Sequence, residues 1–260
     1  MGKDSAVEWA NYSHGFWYGC HKVSPGCRFC YAEREMTRFD REFNTVTRAK
    51  GFNKPLAWKE PGRVFVNPWS DFFIKAADGW RNEAWDIIRR TPHLTYLILT
   101  KRVANVLSRL PADWGEGWPN VWLGFSAENQ KMYDKRLLDM LAVPATIRFV
   151  SVEPMLEAIN LGLAGIVPRS VQSRYTPVSG MLHWVVVGGE SGYEPRPLDP
   201  NWVNDILAQC EANAVPFFFK QWGGRPDNKR GHDQALIRGK FYQQFPDVEP
   251  YVPPQQLELL

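Results

Sequence analysis

The sequence lacks any apolar run that could cross a membrane, since none approaches about eighteen consecutive residues. Its first eight residues, Met1 to Glu8, are polar and lack the apolar segment of a secretory signal peptide. Membrane and secreted classes are therefore not expected. The sequence indicates an ordinary soluble, cytoplasmic protein with no membrane partner.

Several catalytic signatures are also missing. Gly188 and Gly189 are not followed by Gly-Lys-Ser/Thr, so a phosphate-binding loop is not indicated. No spacing typical of a hydrolase triad or a zinc protease occurs. The net charge of only +3 permits a nucleic-acid partner without arguing for one.

Cysteine is scarce, and its distribution is uneven. Three of the four cysteines, Cys20, Cys27 and Cys30, lie within eleven residues. In a reducing compartment this pattern indicates a metal or catalytic site rather than a disulfide framework. Pro25 and Gly26 favour a turn that brings Cys20 back toward the Cys-x-x-Cys pair.

Aromatic residues are abundant, with twelve tryptophans and fifteen phenylalanines. Most aromatic side chains belong to protein cores, although some offer a stacking surface for a base. Positive charge is concentrated as well, because residues 28–63 hold nine Lys/Arg against five Asp/Glu. Such runs usually form a solvated face.

Short apolar runs alternate with amphipathic patterns along the chain. The predicted strands are Phe16–Tyr18, Val64–Asn67, Thr95–Leu99, Val121–Phe125, Ile147–Val152, Trp184–Val187 and Phe217–Phe219. The predicted helical stripes are Ala32/Met36/Phe39/Phe43, Trp80/Ala84/Trp85/Ile88, Tyr133/Leu137/Leu138/Leu141 and Trp202/Val203/Ile206/Leu207/Cys210. Asp199 and Pro200 are typical of a helix start.

This alternation predicts an α/β fold with parallel strands, either a complete or a partial TIM-like barrel. A doubly wound sheet is the alternative. We expect one barrel-like domain over residues 1–223, with an insertion at 157–182. Residues 224–260, which are polar and contain proline and glycine, are expected to form a C-terminal extension.

Three thiolates suit an iron–sulfur cluster better than a structural zinc site, which takes four ligands. On a four-iron cluster they leave one iron open to a substrate or cofactor. Either His14 or His21 could instead complete a zinc site. Cys210 lies on an apolar helical stripe, so we expect it to be a buried structural residue.

The cysteine segment resembles the cluster loop of radical S-adenosylmethionine enzymes. In that superfamily the last two cysteines enclose any residue and then an aromatic residue that lies near the adenine, which Phe29 matches here. The first two cysteines are separated by six residues, where three are usual. The resemblance implies a [4Fe–4S] cluster, S-adenosylmethionine and an electron donor.

A closer resemblance is to a phage and prophage family of uncharacterised function with a three-cysteine motif. It covers about residues 14–225. It rests on the segments Ser24–Glu33, Trp69–Phe73, Leu99–Arg102, Ser151–Met155, Gly188–Gly192 and Phe218–Gly223. This resemblance implies a radical-enzyme-like fold and a cluster, but no substrate.

Polar residues follow most predicted strands, and in a barrel they would converge at the carboxyl-terminal end, where ligands bind. Candidate cofactor contacts besides Phe29 are Lys101, Arg102, Ser126, Glu128, Asn129, Glu153, Gly188, Gly189 and Glu190. Lys101 or Arg102 suits a carboxylate, and Glu128 or Asn129 suits ribose or an amine. Helix capping and structural ion pairs are the competing explanations.

The favoured hypothesis is an enzyme that generates a 5′-deoxyadenosyl radical and modifies a substrate. A nucleobase or nucleotide in phage DNA is the leading candidate substrate, given the basic and aromatic content. The alternative is a non-catalytic nucleic-acid-binding protein stabilised by zinc or by a cluster.

Overall fold

The computed structural model describes residues 7–163, 182–192, 194–224 and 235–248. Seven parallel strands form one sheet in the order β1-β4-β5-β6-β7-β8-β9. Their bounds are Tyr12–His14 (β1), Gly62–Val66 (β4), Leu94–Thr100 (β5), Val121–Ser126 (β6), Ile147–Val152 (β7), Trp184–Gly188 (β8) and Phe217–Gln221 (β9). The remaining strands are Trp17–Tyr18 (β2), Thr47–Arg48 (β3), Leu236–Ile237 (β10) and Lys240–Phe241 (β11).

Four α-helices accompany the sheet: Tyr31–Arg38 (α1), Asp78–Arg90 (α2), Gln130–Leu141 (α3) and Pro200–Ala212 (α4). The predicted start of α4 is confirmed, since the Asp199 carboxylate accepts a hydrogen bond from the Asn201 amide at 2.8 Å. In the described part of the chain, no helix is long and apolar enough to span a bilayer.

The sheet curls into a half-barrel. Trp9, just before β1, contacts Trp184 of β8 with ring centroids 5.7 Å apart. In a flat sheet, strands five positions apart would be separated by about 24 Å, at ~4.8 Å per strand. This contact therefore requires strong curvature, and the prediction of a parallel, partly closed α/β architecture is confirmed.

Both faces of the sheet are covered, which explains the continuous apolar strands. The convex face packs against the helices in an outer core. The concave face is filled by an inner core rich in large aromatic rings, namely Trp9, Phe65, Trp122, Phe149, Trp184 and Phe218. These rings occupy the interior of the half-barrel.

The predicted first strand, Phe16–Tyr18, was wrong in position. The first parallel strand is β1, whereas β2 pairs antiparallel with β3. Phe16 is fully buried and its amide donates to Asn67 Oδ1 at 2.7 Å. The aromatic run therefore signals a packed corner rather than a central strand.

Helix α1 is also shorter than its predicted stripe. It ends at Arg38, leaving Phe39 beyond the helix and 57% exposed. Phe43 is buried, but in the segment that follows. The residues of the predicted stripe therefore lie in two environments: Ala32 and Met36 are buried on α1, whereas Phe43 is buried in the segment after the helix.

The described residues of the predicted C-terminal extension, 235–248, pack against the domain. The Phe219 amide of β9 donates to the Tyr242 carbonyl at 2.7 Å, and Phe245 packs on Trp184 at 5.3 Å. Of the predicted insertion, residues 164–181 lie outside the described ranges.

Candidate functional site

The three clustered cysteines lie on one loop, residues 19–30, called here the cysteine loop. Gly19 begins it with φ of +91°, and a Cβ there would collide with the Thr45 carbonyl, so this turn requires glycine. The Cys20 amide donates to the Phe43 carbonyl at 2.8 Å. Cys20 is therefore fixed by its backbone.

A short 3₁₀ turn over Pro25–Cys27 folds the loop back, as the sequence predicted. The Cys27 amide donates to the Ser24 carbonyl at 2.9 Å. Cys30 then takes an extended conformation as the N-cap residue of α1. The Cys-x-x-Cys pair thus joins the turn to the start of a helix.

All three cysteines are half-buried, with free thiols. Cys20 and Cys30 both pack against a small cluster that contains Met36, Phe43 and Trp69. Burial raises the pKa of the Cys20 thiol to about 11, although the nearby Arg102 guanidinium partly offsets this effect. A bound metal would have to displace the Cys20 proton.

Three arginine–carboxylate pairs, on different parts of the rim, contact the cysteine loop. The first joins Arg102, after β5, to buried Asp71, after β4, at 3.1 Å. Arg102 Nη2 donates to the His21 carbonyl at 2.6 Å, and Nη1 lies 3.5 Å from Cys20 Sγ. Arg102 is therefore bonded to the protein and to a cysteine sulfur.

The second pair joins Glu128, after β6, to Arg136 of α3 at 2.8 Å, and both side chains are buried. Glu128 Oε1 accepts the Gly26 amide at 3.1 Å. Burial raises the pKa of the Glu128 carboxyl, but Arg136 and the hydrogen bonds from Ser24 and Gly26 hold it below its ordinary value. This carboxylate is thus ionised and ties the loop to β6.

The third pair joins buried Glu190, after β8, to Arg196, whose Nε donates to Oε2 at 2.8 Å. Arg196 Nη1 donates to the Pro25 carbonyl at 3.2 Å. Its guanidinium also lies 5.3 Å from the centroid of the Phe29 ring. Phe29 is 37% exposed and lines, with Cys30, a shallow cavity of about 320 Å³.

The inner face of the rim carries a further polar group. Ser126 and Ser151 are register partners on β6 and β7, directly above the aromatic inner core. Ser151 Oγ is fully buried and, within the described residues, has no hydrogen-bond partner. Glu153 lies two residues further and pairs with Lys220 of β9 at 2.7 Å.

The two predicted glycines serve close packing of the protein itself. A Cβ on Gly188 would lie 3.2 Å from Glu153 Cδ, so that carboxylate crosses over Gly188. A Cβ on Gly189 would collide with the Trp222 carbonyl. Both positions favour glycine because other atoms of the chain approach them closely.

Asn129 and Lys101 differ in whether their side chains are already bonded to other parts of the protein. Asn129 caps α3, since its Oδ1 accepts the Met132 amide at 2.9 Å. The Lys101 amide donates to Asp71 Oδ2 at 2.9 Å. The Lys101 ammonium makes no hydrogen bond or ion pair with any residue that the structure describes.

The histidines considered as zinc ligands bond elsewhere. His14 Nε2 donates to the Phe52 carbonyl at 3.1 Å, and His21 Nε2 to the Asn44 carbonyl at 2.8 Å. Cys210 is fully buried in the outer core, as predicted, and burial raises its pKa to about 12. Within the described ranges, no three His, Cys, Asp or Glu side chains are close enough together to hold one metal ion.

A cluster differs from a single ion, because each cysteine binds a different iron atom. The donors here fit it by their chemistry, since three soft thiols lie on one loop and all are half-buried. Cys30 lies close enough to Cys20 that a negative charge on Cys30 contributes to the raised pKa of the Cys20 thiol. The loop therefore offers suitable ligands for three irons.

Sequence reasoning missed Arg136 and Arg196. Arg136 had a detectable signal, because it is a charged residue on the buried stripe of α3 that holds Tyr133, Leu137 and Met140. A charge on such a stripe needs a buried partner. Arg196 lies in an irregular segment without periodicity, so no local pattern marks it.

A family model described as a protein of unknown function (DUF5131) matches residues 4–246. No curated protein matches the chain. No solved structure matches it either.

Proposed function

The chain belongs to the DUF5131 family of proteins of unknown function, and from its site we propose that it is a radical S-adenosylmethionine-type enzyme. Cys20, Cys27 and Cys30 would hold a [4Fe–4S] cluster and leave one iron free for the amine and carboxylate of S-adenosylmethionine. An electron donor outside the chain would reduce the cluster.

One observation carries this proposal: three cysteines share a loop that is fastened across the carboxyl-terminal rim of a parallel half-barrel. Contacts from after β5, β6 and β8 reach that loop. The rim of a parallel barrel is where catalytic groups gather in this architecture.

The bound group would supply the difficult chemistry. Held by Cys20, Cys27 and Cys30, a cluster would supply the electron for reductive cleavage of S-adenosylmethionine, and the resulting 5′-deoxyadenosyl radical would abstract a hydrogen atom from the substrate. The chain binds and orients the reactants and excludes water from them. The aromatic inner core keeps them at the rim, because it fills the space beneath.

The contacts divide the candidate residues into two groups. Arg102, Glu128, Asn129 and Glu190 are bonded to other parts of the protein, so we assign them to positioning the loop and helix α3. Other groups remain available to bind S-adenosylmethionine. The Lys101 ammonium could bind the carboxylate of the cofactor and the Phe29 ring could stack on its adenine. The Ser126 and Ser151 hydroxyls are also available. Glu153 and Lys220 stand beside them.

The substrate we favour is a nucleobase or nucleotide within a nucleic acid. Exposed aromatic rings and arginines occur beside the cysteines, including Arg28, whose guanidinium lies 5.0 Å from the Phe29 ring centroid. Flat rings and cations are the groups that bind bases and phosphates.

Anaerobically purified protein tests the proposal. We expect iron and acid-labile sulfide, and release of 5′-deoxyadenosine from S-adenosylmethionine after chemical reduction. Cys20→Ala, Cys27→Ala and Cys30→Ala should each abolish cluster binding. Cys210→Ala is the matched control and should retain the iron, because that thiol is buried in the outer core.

A further variant separates cofactor binding from the cluster. Phe29→Ala should keep the iron but weaken S-adenosylmethionine about tenfold in calorimetric titration, as loss of a base-stacking ring does. Val23→Ala, in the same loop and 47% exposed, should change neither quantity. Zinc without iron, or a full cluster that binds no S-adenosylmethionine, would contradict the mechanism.

A further inference from the structure

Four aromatic side chains form a strip that starts next to Cys30. Tyr31 begins it and is tied to the residue before Trp69, since its hydroxyl donates to the Pro68 carbonyl at 2.6 Å. Trp69 follows, with ring centroids 5.8 Å from Tyr18 and 5.7 Å from Phe39. Tyr31, Trp69, Tyr18 and Phe39 are called here the aromatic strip.

The strip is open to solvent at both ends. Tyr31 is 41% exposed and Phe39 57% exposed. Trp69 and Tyr18 pack beneath against Met36 and Phe43, which fixes the orientation of their rings. Core packing accounts for Trp69 and Tyr18, but it does not account for an exposed phenylalanine beyond the end of α1.

Arginines accompany the rings. The Arg41 guanidinium lies 4.9 Å from the Tyr18 ring centroid, and the Arg38 guanidinium 6.0 Å from that of Phe39. Arg38 also meets Glu35, but only at 3.9 Å and with its own side chain 75% exposed. Arg41 forms no ion pair with any carboxylate that the structure describes. A cation beside a flat ring offers both a phosphate contact and a stacking surface.

We propose that the aromatic strip binds single-stranded nucleic acid and leads one nucleotide to the cysteine loop. Successive bases stack on the exposed rings, while Arg38 and Arg41 contact the phosphates. A duplex hides the faces of its bases, so the strip favours unpaired strands. The role as a substrate channel rests on the proposed function, whereas binding itself does not.

Fluorescence anisotropy of the full-length protein with a labelled mixed-sequence DNA strand of about 16 nucleotides tests the proposal. Phe39→Ala should weaken binding about tenfold through loss of one stacking surface. Phe39→Trp should restore it. Arg41→Gln should weaken binding and flatten its salt dependence by about 0.7 in the logarithmic slope, as loss of one phosphate contact predicts.

Matched controls lie on other surfaces of the molecule. Phe241→Ala removes a phenylalanine that is 60% exposed on β11, and Arg90→Gln removes an arginine with a side chain 59% exposed on α2. Both should bind like the wild type. Equal affinity of the Phe39→Ala and Phe241→Ala variants overturns the proposal. Binding of duplex DNA as tightly as single-stranded DNA would also overturn it. If the protein binds no single-stranded DNA at all, the proposal is likewise wrong, and the strip is a protein interface.

The Cys30→Ala variant distinguishes this inference from the proposed function. It should lose the cluster but bind the DNA strand with unchanged affinity, because the strip does not need the metal. If the protein binds single-stranded DNA but does not cleave S-adenosylmethionine, the DNA-binding proposal is supported and the proposed radical chemistry is wrong. If cleavage occurs without strand binding, the enzyme stands and its substrate is of another class.

Discussion

Arg102 is a rim residue that directly contacts a cysteine sulfur. Its guanidinium lies within hydrogen-bonding distance of Cys20 Sγ, and buried Asp71 fixes its orientation. Asp71 in turn accepts bonds from the Thr100 hydroxyl at 2.7 Å and the Phe73 amide at 2.9 Å. If Cys20 holds the proposed cluster, a positive charge fixed beside its sulfur would favour the more negative, reduced form of that cluster.

Replacing Arg102 should therefore lower the reduction potential of the cluster. For Arg102→Gln we expect a decrease of about 40 mV, the one-electron equivalent of ~1 kcal/mol of lost charge-assisted hydrogen bonding. Redox titration followed by electron paramagnetic resonance measures it. Arg102→Lys keeps the charge and should shift the potential less. An unchanged potential in the glutamine variant would show that the guanidinium does not act on the cluster.

At the scale of elements, the rim holds the cysteine loop by ion pairs that connect it to separate strands. Glu128 connects it to β6 and α3, and Glu190 connects it through Arg196 to β8. Buried ion pairs add little net stability, but removing one partner leaves an uncompensated charge. The pairs therefore specify where the loop lies more than how stable the protein is.

Arg136→Ala should destabilise the protein by about 3–5 kcal/mol, because it leaves the buried Glu128 carboxylate without its counter-ion. Urea unfolding measures the change. The double variant Glu128→Leu/Arg136→Met replaces both charges with apolar groups and should recover most of that loss. It should still bind the cluster less well, since the Gly26 amide has lost its acceptor. A double variant as unstable as Arg136→Ala would contradict this account.

At the scale of the whole molecule, stability depends on keeping the buried imidazole of His14 neutral. His14 ends β1 and is 2% exposed, with its ring 4.5 Å from that of Phe16 between centroids. Burial lowers the pKa of His14 to about 4 from an ordinary value of 6.5, although the hydrogen bond to Phe52 opposes this. In the unfolded chain the imidazole takes up its proton at higher pH, so protonation favours unfolding.

The native state should lose stability in acid because of this residue. The contribution is fully present above pH 6.5 and is lost as the pH falls toward 4, amounting to about 3 kcal/mol. His14→Gln should remove that part of the pH dependence, measured by urea unfolding across this range. His93→Gln is the control, because His93 also donates to a backbone carbonyl, that of Trp58, from a half-buried position. Equal pH dependence in the wild type and in His14→Gln would refute the assignment.

The sequence by itself determined the local elements. Strands β5 to β9 and helices α2 to α4 follow from apolar runs and from spacing along one face, which depend on neighbours a few residues apart. The same holds for the cap at Asp199 and for burial of Cys210. The three-cysteine motif is likewise local, so its position at the start of α1 could be predicted.

Only the tertiary structure decided which rim residues are committed to the protein. Glu128 and Glu190 carry the same charge at equivalent strand ends, yet each is paired with an arginine that no spacing rule connects to it. Asn129, beside Glu128, proved to be a cap, while Lys101 stayed unpaired among the described residues. The members of each ion pair are only eight and six residues apart, but their bonds to the cysteine loop, Glu128 to Gly26 and Arg196 to Pro25, span 102 and 171 residues. Such choices depend on distances through space. Packing and burial set those distances, and periodicity along the sequence does not record them.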